Sequence, residues 1–220
     1  MHYDDWALSY DSDMKGWDYL APGRVADSLR GFMVDRTSAL RCLDVGIGTG
    51  LLSEELHRIR SDLEIFGVDI SARMLALCRR KGRFRKLRRV DVGRDRLPFP
   101  DESFDIVASS GVMESVGGIG HAIGEMARVL KPGGMMVFTY VPGTGHPLGN
   151  AQTRALRPGR TTDGRFVMGP MTLHAHNPLK VRTYAALSGV KPLPPVRFTG
   201  YRTYVVVTVD YELFVGQKRL

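Results

Sequence analysis

An acid followed by three alternating glycines, Asp44, Gly46, Gly48 and Gly50, forms the group of residues in this chain best suited to chemistry. They lie where a short apolar run, Leu43-Asp44-Val45, gives way to Leu52, Leu56 and Ile59 at helical spacing. A strand that turns into a helix through such glycines can bring bare backbone against a ligand, because no Cβ intervenes. The spacing G-x-G-x-G departs from the dinucleotide fingerprint G-x-G-x-x-G, since position 51 is Leu and the third glycine arrives one residue early. Asp44 adds an anion where a pyrophosphate would be unwelcome. A ligand with a cationic or amine-bearing group suits this turn better, and a nicotinamide dinucleotide is disfavoured.

Further acids follow at strand ends. Asp69 closes Gly67-Val68-Asp69-Ile70-Ser71, 23 positions after Gly46 and near the spacing at which nucleotide-binding α/β folds place a carboxylate on a ribose. Val90-Asp91-Val92 is followed by Leu97-Pro98-Phe99-Pro100-Asp101-Glu102-Ser103-Phe104-Asp105-Ile106-Val107, and later by Arg128-Val129-Leu130-Lys131-Pro132-Gly133-Gly134. Taken in this order, the four segments resemble the class I S-adenosylmethionine (SAM) methyltransferases, with LDVGIGTG similar to their motif I. The resemblance covers roughly residues 38–140 well, extends loosely to the N-terminus, and is poor over 141–200.

That resemblance implies SAM as cofactor and a role for each matching residue. Gly46, Gly48 and Gly50 would let the backbone approach the methionine portion, and Asp44 would neutralise its amino group. Asp69 would accept both ribose hydroxyls, Ile70 and Met74 would pack on the adenine, and Asp91 with the backbone of Val92 would read the adenine amine. Ser109 would line the methionine arm. Tyr3-Asp4-Asp5-Trp6-Ala7 and Tyr10-Asp11 resemble the lid of small-molecule methyltransferases of the Williams–Beuren-region type, with Tyr10 expected near the sulfonium and Tyr3 second. The alternative role for these aromatics is to pin the first helix to the core.

The elements that must position these groups follow from periodicity. Pro22 suits the first turn of a helix carrying Val25, Leu29 and Phe32 on one face. Strands are expected at 41–45, 64–68, 87–91, 104–108 and 134–140, with helices at 50–60, 71–81 and near 120–130. Strands separated by single helices imply parallel pairing, hence an α/β, doubly wound, mostly parallel seven-stranded sheet with an antiparallel last strand and an N-terminal helical lid. Val196-Arg197-Phe198 and the stretch Tyr204–Val215 should supply the last two strands. The 220 residues read as one domain: lid and first helix at 1–37, SAM-binding core at 38–140, a variable acceptor-pocket segment at 141–190, and C-terminal strands at 191–220.

Composition narrows the partners. With 43% hydrophobic and 25% charged residues the chain is an ordinary globular one, without an apolar run of membrane-spanning length. Its acidic, aromatic N-terminus is unlike a secretory signal. Cys42 and Cys78 read as core thiols, which points to the cytoplasm rather than to a disulfide framework or a metal site. The net charge of +8 is concentrated at Arg79–Arg89, a run that could track phosphates but reads as a solvated helix end.

The base is the least determined group. His121, His146, His174 and His176 are candidates, as is Glu114, near a position where many relatives carry histidine. His146 is preferred because it follows the fifth strand. His174 and His176 would share one strand face, as a proton relay or two metal ligands, but no third ligand is evident. An amine acceptor is the one class that could dispense with a protein base. The reading is a SAM-dependent methyltransferase acting on O, N or C of a small molecule, with no membrane or nucleic-acid partner expected and a homodimer left open. An RNA or protein methyltransferase is the first alternative, although Ser109-Ser110-Gly111-Val112 replaces the N-P-P-Y type of signature. A SAM-binding protein without turnover is the second.

Overall fold

In the computed structural model residues 3–143, 164–168, 171–202 and 208–220 are described. Three N-terminal helices, α1 (Tyr3–Trp6), α2 (Tyr10–Gly16) and α3 (Ala21–Val34), precede an alternation of strands and helices. Strands β1 (Arg41–Val45), β2 (Glu64–Asp69), β3 (Lys86–Arg89) and β4 (Phe104–Ser109) enclose helices α4 (Leu51–Ile59) and α5 (Ala72–Lys81). Helix α6 (Ile119–Val129) leads into the long strand β5 (Leu130–Pro142). The hairpin β6 (Gly164–Met168) and β7 (Met171–His176), helix α7 (Pro178–Leu187) and strands β8 (Val190–Pro192), β9 (Val196–Arg202) and β10 (Thr208–Lys218) complete the described chain.

The sheet order is β3-β2-β1-β4-β5-β10-β8. The first five strands run parallel, and β10 lies antiparallel to β5. Chain order reverses between β1 and β4, which opens a crevice at their carboxyl ends. The α/β architecture, the doubly wound order and the antiparallel last strand all agree with the periodicity. Two details differ. First, β5 starts at Leu130 instead of 134, because its ladder with β4 takes an irregular step between Phe104 and Ile106, and Gly133 there adopts φ +74°. Second, the end of the sheet has three strands. Both β8 and β9 pair antiparallel with β10 along one edge, interrupted near Pro192, Pro194 and Pro195, which lack the N–H that a ladder requires.

The segment after β5, expected as a variable loop or helix, includes a hairpin: β7 runs parallel to the end of β5, pairing Ala175 with Val141. Helix α7 follows, capped by the Asn177 side chain, which accepts the Leu179 N–H at 2.9 Å.

Helices α3 and α4 cover one face of the sheet, where Leu29, Met33 and Leu56 meet Cys42, Ile65 and Ile106. On the other face α6 and α7 bring Ile123, Met126 and Val181 against Val107 and Phe138. Each such fully buried side chain contributes about 1.5–3 kcal/mol of transfer free energy. Cys42 and Cys78 are buried and unbridged, and no described helix is long and apolar enough to cross a membrane.

One cation joins two of the segments singled out above. Arg128, near the end of α6, holds Glu125 bidentately at 2.9 and 2.7 Å. It also reaches Asp101 at 2.6 Å and the carbonyls of Phe99 and Leu97 at 3.0 and 2.9 Å. The turn at 97–101 is thereby fastened to α6. Arg128→Ala should lower the unfolding free energy by about 2–4 kcal/mol, since it strands a mostly buried carboxylate and two carbonyls. Arg128→Lys should recover only a minor part, because an ammonium cannot span the same fork. A urea midpoint unchanged from wild type would refute this anchoring role.

Candidate active site

The site is built on the turn after β1. Gly46 and Gly48 adopt φ +72° and +55°, and the amides of Gly46 and Ile47 both donate to the Val68 carbonyl, at 2.8 and 2.9 Å. A Cβ on Gly46 would lie 2.3 Å from the Val112 side chain, whereas one on Gly48 would meet no protein atom within 4 Å. The turn is thus packed on one side and open on the other.

Asp69, at the tip of β2, bridges this turn to the next helix. One of its oxygens accepts the Gly48 amide at 2.7 Å and the other accepts the Ser71 amide at 2.8 Å. Ser71 in turn caps α5, its Oγ accepting the Met74 amide at 3.1 Å. The carboxyl group is 7% exposed, and burial raises its pKa against the opposing pull of the two backbone bonds.

A cavity of about 330 Å³ opens beside these groups. Eight of the residues expected at a cofactor site line it: Tyr10, Gly46, Gly48, Asp69, Ile70, Met74, Asp91 and Val92. Asp44 sits next door, in a smaller space of about 20 Å³ shared with Tyr10, Gly46, Gly48 and Ser110. It is 1% exposed, accepts the Ser53 hydroxyl at 2.8 Å, and is pushed by burial to a pKa of about 7.

Two expected residues lie elsewhere. Gly50 does not line the cavity; it takes φ +93° before α4, where a Cβ would lie 3.1 Å from Phe84 and 3.4 Å from the Cys78 sulfur, so helix packing is what requires glycine. Ser109 turns into the sheet and donates to the Val45 carbonyl at 2.7 Å. The next residue, Ser110, faces the cavity instead, as strand alternation demands. His146 lies outside the described residues.

The comparisons with known proteins agree with this geometry. Residues 43–138 match the family model described as "Methyltransferase domain". The chain is 32% identical over 187 residues to a demethylmenaquinone methyltransferase of Deinococcus radiodurans, covering 83% of this chain and 77% of that protein. This chain belongs to the class I SAM-dependent methyltransferases. It is also 35% identical over 137 residues to human methyltransferase-like protein 27, covering 62% of this chain but only 55% of that protein. Several other curated relatives are matched over about half their length. Among solved structures, a SAM-dependent methyltransferase from Methanosarcina mazei superposes with a TM-score of 0.67 at 19% identity, over 86% of this chain and 97% of that one, which shows the shared fold.

In this methyltransferase the N-terminal helices close over the cavity, and acids that periodicity alone does not explain fasten them. Asp4 accepts the Arg73 amide at 3.0 Å and the Ser71 hydroxyl, so α1 caps the start of α5. Asp11 accepts the Thr49 hydroxyl from the glycine turn, with the Lys81 ammonium 3.7 Å away. Tyr3 shares a 2.6 Å hydrogen bond with Ser115. Asp4, Ser71, Arg89, Ser110 and Ser115 line the cavity without having been expected there. Of these, the alternation of Asp with aromatic residues at the N-terminus was the one available signal.

The remaining candidates for a base separate clearly. His121 reaches the Asp95 carbonyl at 3.1 Å, on the surface. His174 and His176 stack on one face of β7 with ring centroids 6.2 Å apart, and His176 Nε2 donates to the Met113 carbonyl at 2.7 Å. Among the described residues no three potential ligands gather for a metal. In the basic run, Lys81 pairs with Glu54 and Arg85 with Glu64, while Arg89 donates to the Ile70 carbonyl at 2.9 Å.

Glu114 differs from all of these. It is 5% exposed in the 3₁₀ turn Met113–Ser115, accepts the Tyr211 hydroxyl, and is pushed by burial to a pKa of about 7. Because the folded state keeps this proton to a higher pH than the unfolded chain does, the group does not oppose folding below about pH 4.5. It weighs against folding increasingly as the pH rises toward about 7. The stability of Glu114→Gln relative to wild type should therefore rise by on the order of 3 kcal/mol between those limits. Chemical denaturation across this range checks it; a difference independent of pH would mean that Glu114 titrates as it does in water.

Proposed function

We propose that this methyltransferase binds SAM in the cavity beside Asp69 and transfers its methyl group to a small molecule held under the N-terminal lid. The observation that carries the reading is the placement of Asp69 beside Gly48 on one cavity wall. Each carboxylate oxygen already accepts one backbone amide, and each retains a lone pair for a vicinal hydroxyl. The donor set also fits the cofactor elsewhere. Gly48 presents bare backbone to open space, Ile70 and Met74 offer apolar surface, and Asp91 and Val92 bring an acceptor and a backbone amide. At about 330 Å³ the space falls at the lower end of the usual range for ligand pockets.

When bound, SAM supplies an electrophilic methyl group on a sulfonium. The chain's own task is alignment and the exclusion of water. Asp44, ionised, would pair with the cofactor's amino group. Tyr10 and Tyr3, which line the cavity, would offer aromatic faces that attract the sulfonium's positive charge. Asp4 and Asp11 hold the lid shut on α5 and on the glycine turn.

A small acceptor is supported by the relatives. They include demethylmenaquinone, ubiquinone-biosynthesis and malonyl-[acyl-carrier protein] methyltransferases. The segment 141–190, whose described part packs its hairpin against the end of β5, is the element we assign to acceptor choice.

Asp69→Ala should weaken SAM binding at least about 100-fold in calorimetry, the loss of two hydrogen bonds to a charged acceptor. Gly48→Val should abolish binding, since its side chain would enter the cavity from a backbone that favours glycine. Wild-type affinity in either variant would remove the assigned site. A second consequence concerns Asp44. Because it is largely protonated at about pH 6, SAM binding there should release a proton. Calorimetry in two buffers of different ionisation enthalpy reads this directly, and equal heats would remove Asp44 from the site.

A further inference from the structure

Beyond the cofactor cavity lies a second chamber of about 30 Å³, walled by aromatic side chains from two distant parts of the chain. The lid contributes Tyr3, Tyr10, Trp17 and Tyr19, and the C-terminal strands contribute Tyr201 and Tyr211. Glu114 forms its floor. One carboxylate oxygen accepts the Tyr211 hydroxyl, and the other, Oε2, has no partner among the described residues despite being buried. A carboxylate oxygen left this way costs a fold several kcal/mol unless a partner beyond the described residues completes it.

What completes it follows from what surrounds it. Among the described residues no lysine, arginine or histidine lines the chamber; its other titratable groups are the hydroxyls of the five tyrosines, which burial keeps neutral. His176 stands behind the turn, bonded to the Met113 carbonyl. A single buried acid among aromatic faces, with no cation from the described residues to balance it, suits an organic cation. The chamber also adjoins the cofactor cavity, with Tyr3, Tyr10 and Gly111 lining both. Gly111 adopts φ +69°, and any side chain there would meet the Tyr19 hydroxyl at 2.1 Å.

Resting on the cofactor assignment above, we propose that this chamber receives the amino group of the methyl acceptor. The substrate is then a primary or secondary amine, with Glu114 binding its ammonium and accepting its proton. The ammonium gives one proton to Glu114 Oε2. The freed nitrogen lone pair forms the new N–C bond as the S–C bond breaks, and the electrons of that bond stay on sulfur. The products are an N-methylammonium and a thioether, and the proton on Glu114 returns to solvent when they leave. A resting pKa of about 7 suits a group that must be ionised to bind and able to hold the proton afterwards.

The test uses the full chain with S-adenosylhomocysteine and two matched probe pairs, benzylamine with benzyl alcohol and phenethylamine with 2-phenylethanol. Trp6 and Trp17, the two tryptophans of the sequence, both line the chamber, so intrinsic fluorescence reports occupancy directly. At about pH 8 each amine should bind at least tenfold more tightly than its alcohol, and Glu114→Gln should erase that preference while changing S-adenosylhomocysteine affinity by less than about twofold.

In wild type, amine affinity should rise with pH through about 7 while alcohol affinity stays flat, a measurement that needs no variant. Alcohols that bind as tightly as amines would overturn the proposal. So would an amine preference that survives in Glu114→Gln, or no amine binding up to about 10 mM, well above the weak-affinity range. Failure of S-adenosylhomocysteine to bind would instead overturn the cofactor assignment.

Discussion

The carboxylate of Asp69 is the constraint on which the active site depends. Its two oxygens hold the Gly48 and Ser71 amides at 2.7 and 2.8 Å, so the loops after β1 and β2 cannot move independently. Each bond joins an ionisable acceptor to a backbone donor that no helix or sheet ladder could satisfy, and such bonds are roughly twice as strong as neutral ones. The cost is desolvation: burial raises the carboxyl's pKa despite both donors. A purely structural tie between two loops could have been made with a neutral side chain. An acid with spare lone pairs on a cavity wall is better suited to a ligand that brings hydroxyl donors.

The lid extends the same principle outward. Asp4 reaches the N-terminus of α5 through Ser71 and Arg73, beside the same turn that Asp69 grips from within. Asp11 reaches Thr49 on the glycine turn, with Lys81 nearby. Carboxylates are favourable at a helix N-terminus, where amides point outward unpaired. These bonds are partly exposed and individually modest. They contrast with Arg128, whose five bonds fasten the turn at 97–101 far more firmly.

Much of the fold was legible because its signals are local. Alternation of apolar strand and amphipathic helix located β1 to β4 and α4 to α6 within a few residues, and the strand-end acids lay where a switch-point cleft would use them. What escaped was set by neighbours distant in sequence. Whether Ser109 or Ser110 faces the cavity depends on the pleat of β4 against β1, a one-residue choice that inverts the face. Gly50 belongs to the glycine motif by spacing, yet its conformation answers to Phe84 and Cys78, more than twenty-five residues away in sequence. Nothing local shows that the chain, past Pro194 and Pro195, resumes along the same edge of β10.

The acceptor side was the least legible for a related reason. Tyr3, Tyr10 and Trp17 could be seen as an aromatic cluster, Glu114 as an acid after the fourth strand, and Tyr201 and Tyr211 as strand residues. Only the fold brings them to one chamber, because β10 crosses beside β5 and carries Tyr211 to a residue ninety-seven positions earlier. The strongest chemical statement there is also one that no sequence pattern encodes: a buried oxygen without a partner. Pairing rules make such an atom informative, since the chain satisfies the buried polar groups around it. Tyr140 donates to Glu212, which Arg197 also reaches. Among the described residues the fold completes that acid from its own side chains and leaves Glu114 incomplete, which is why the proposed amine site is placed there.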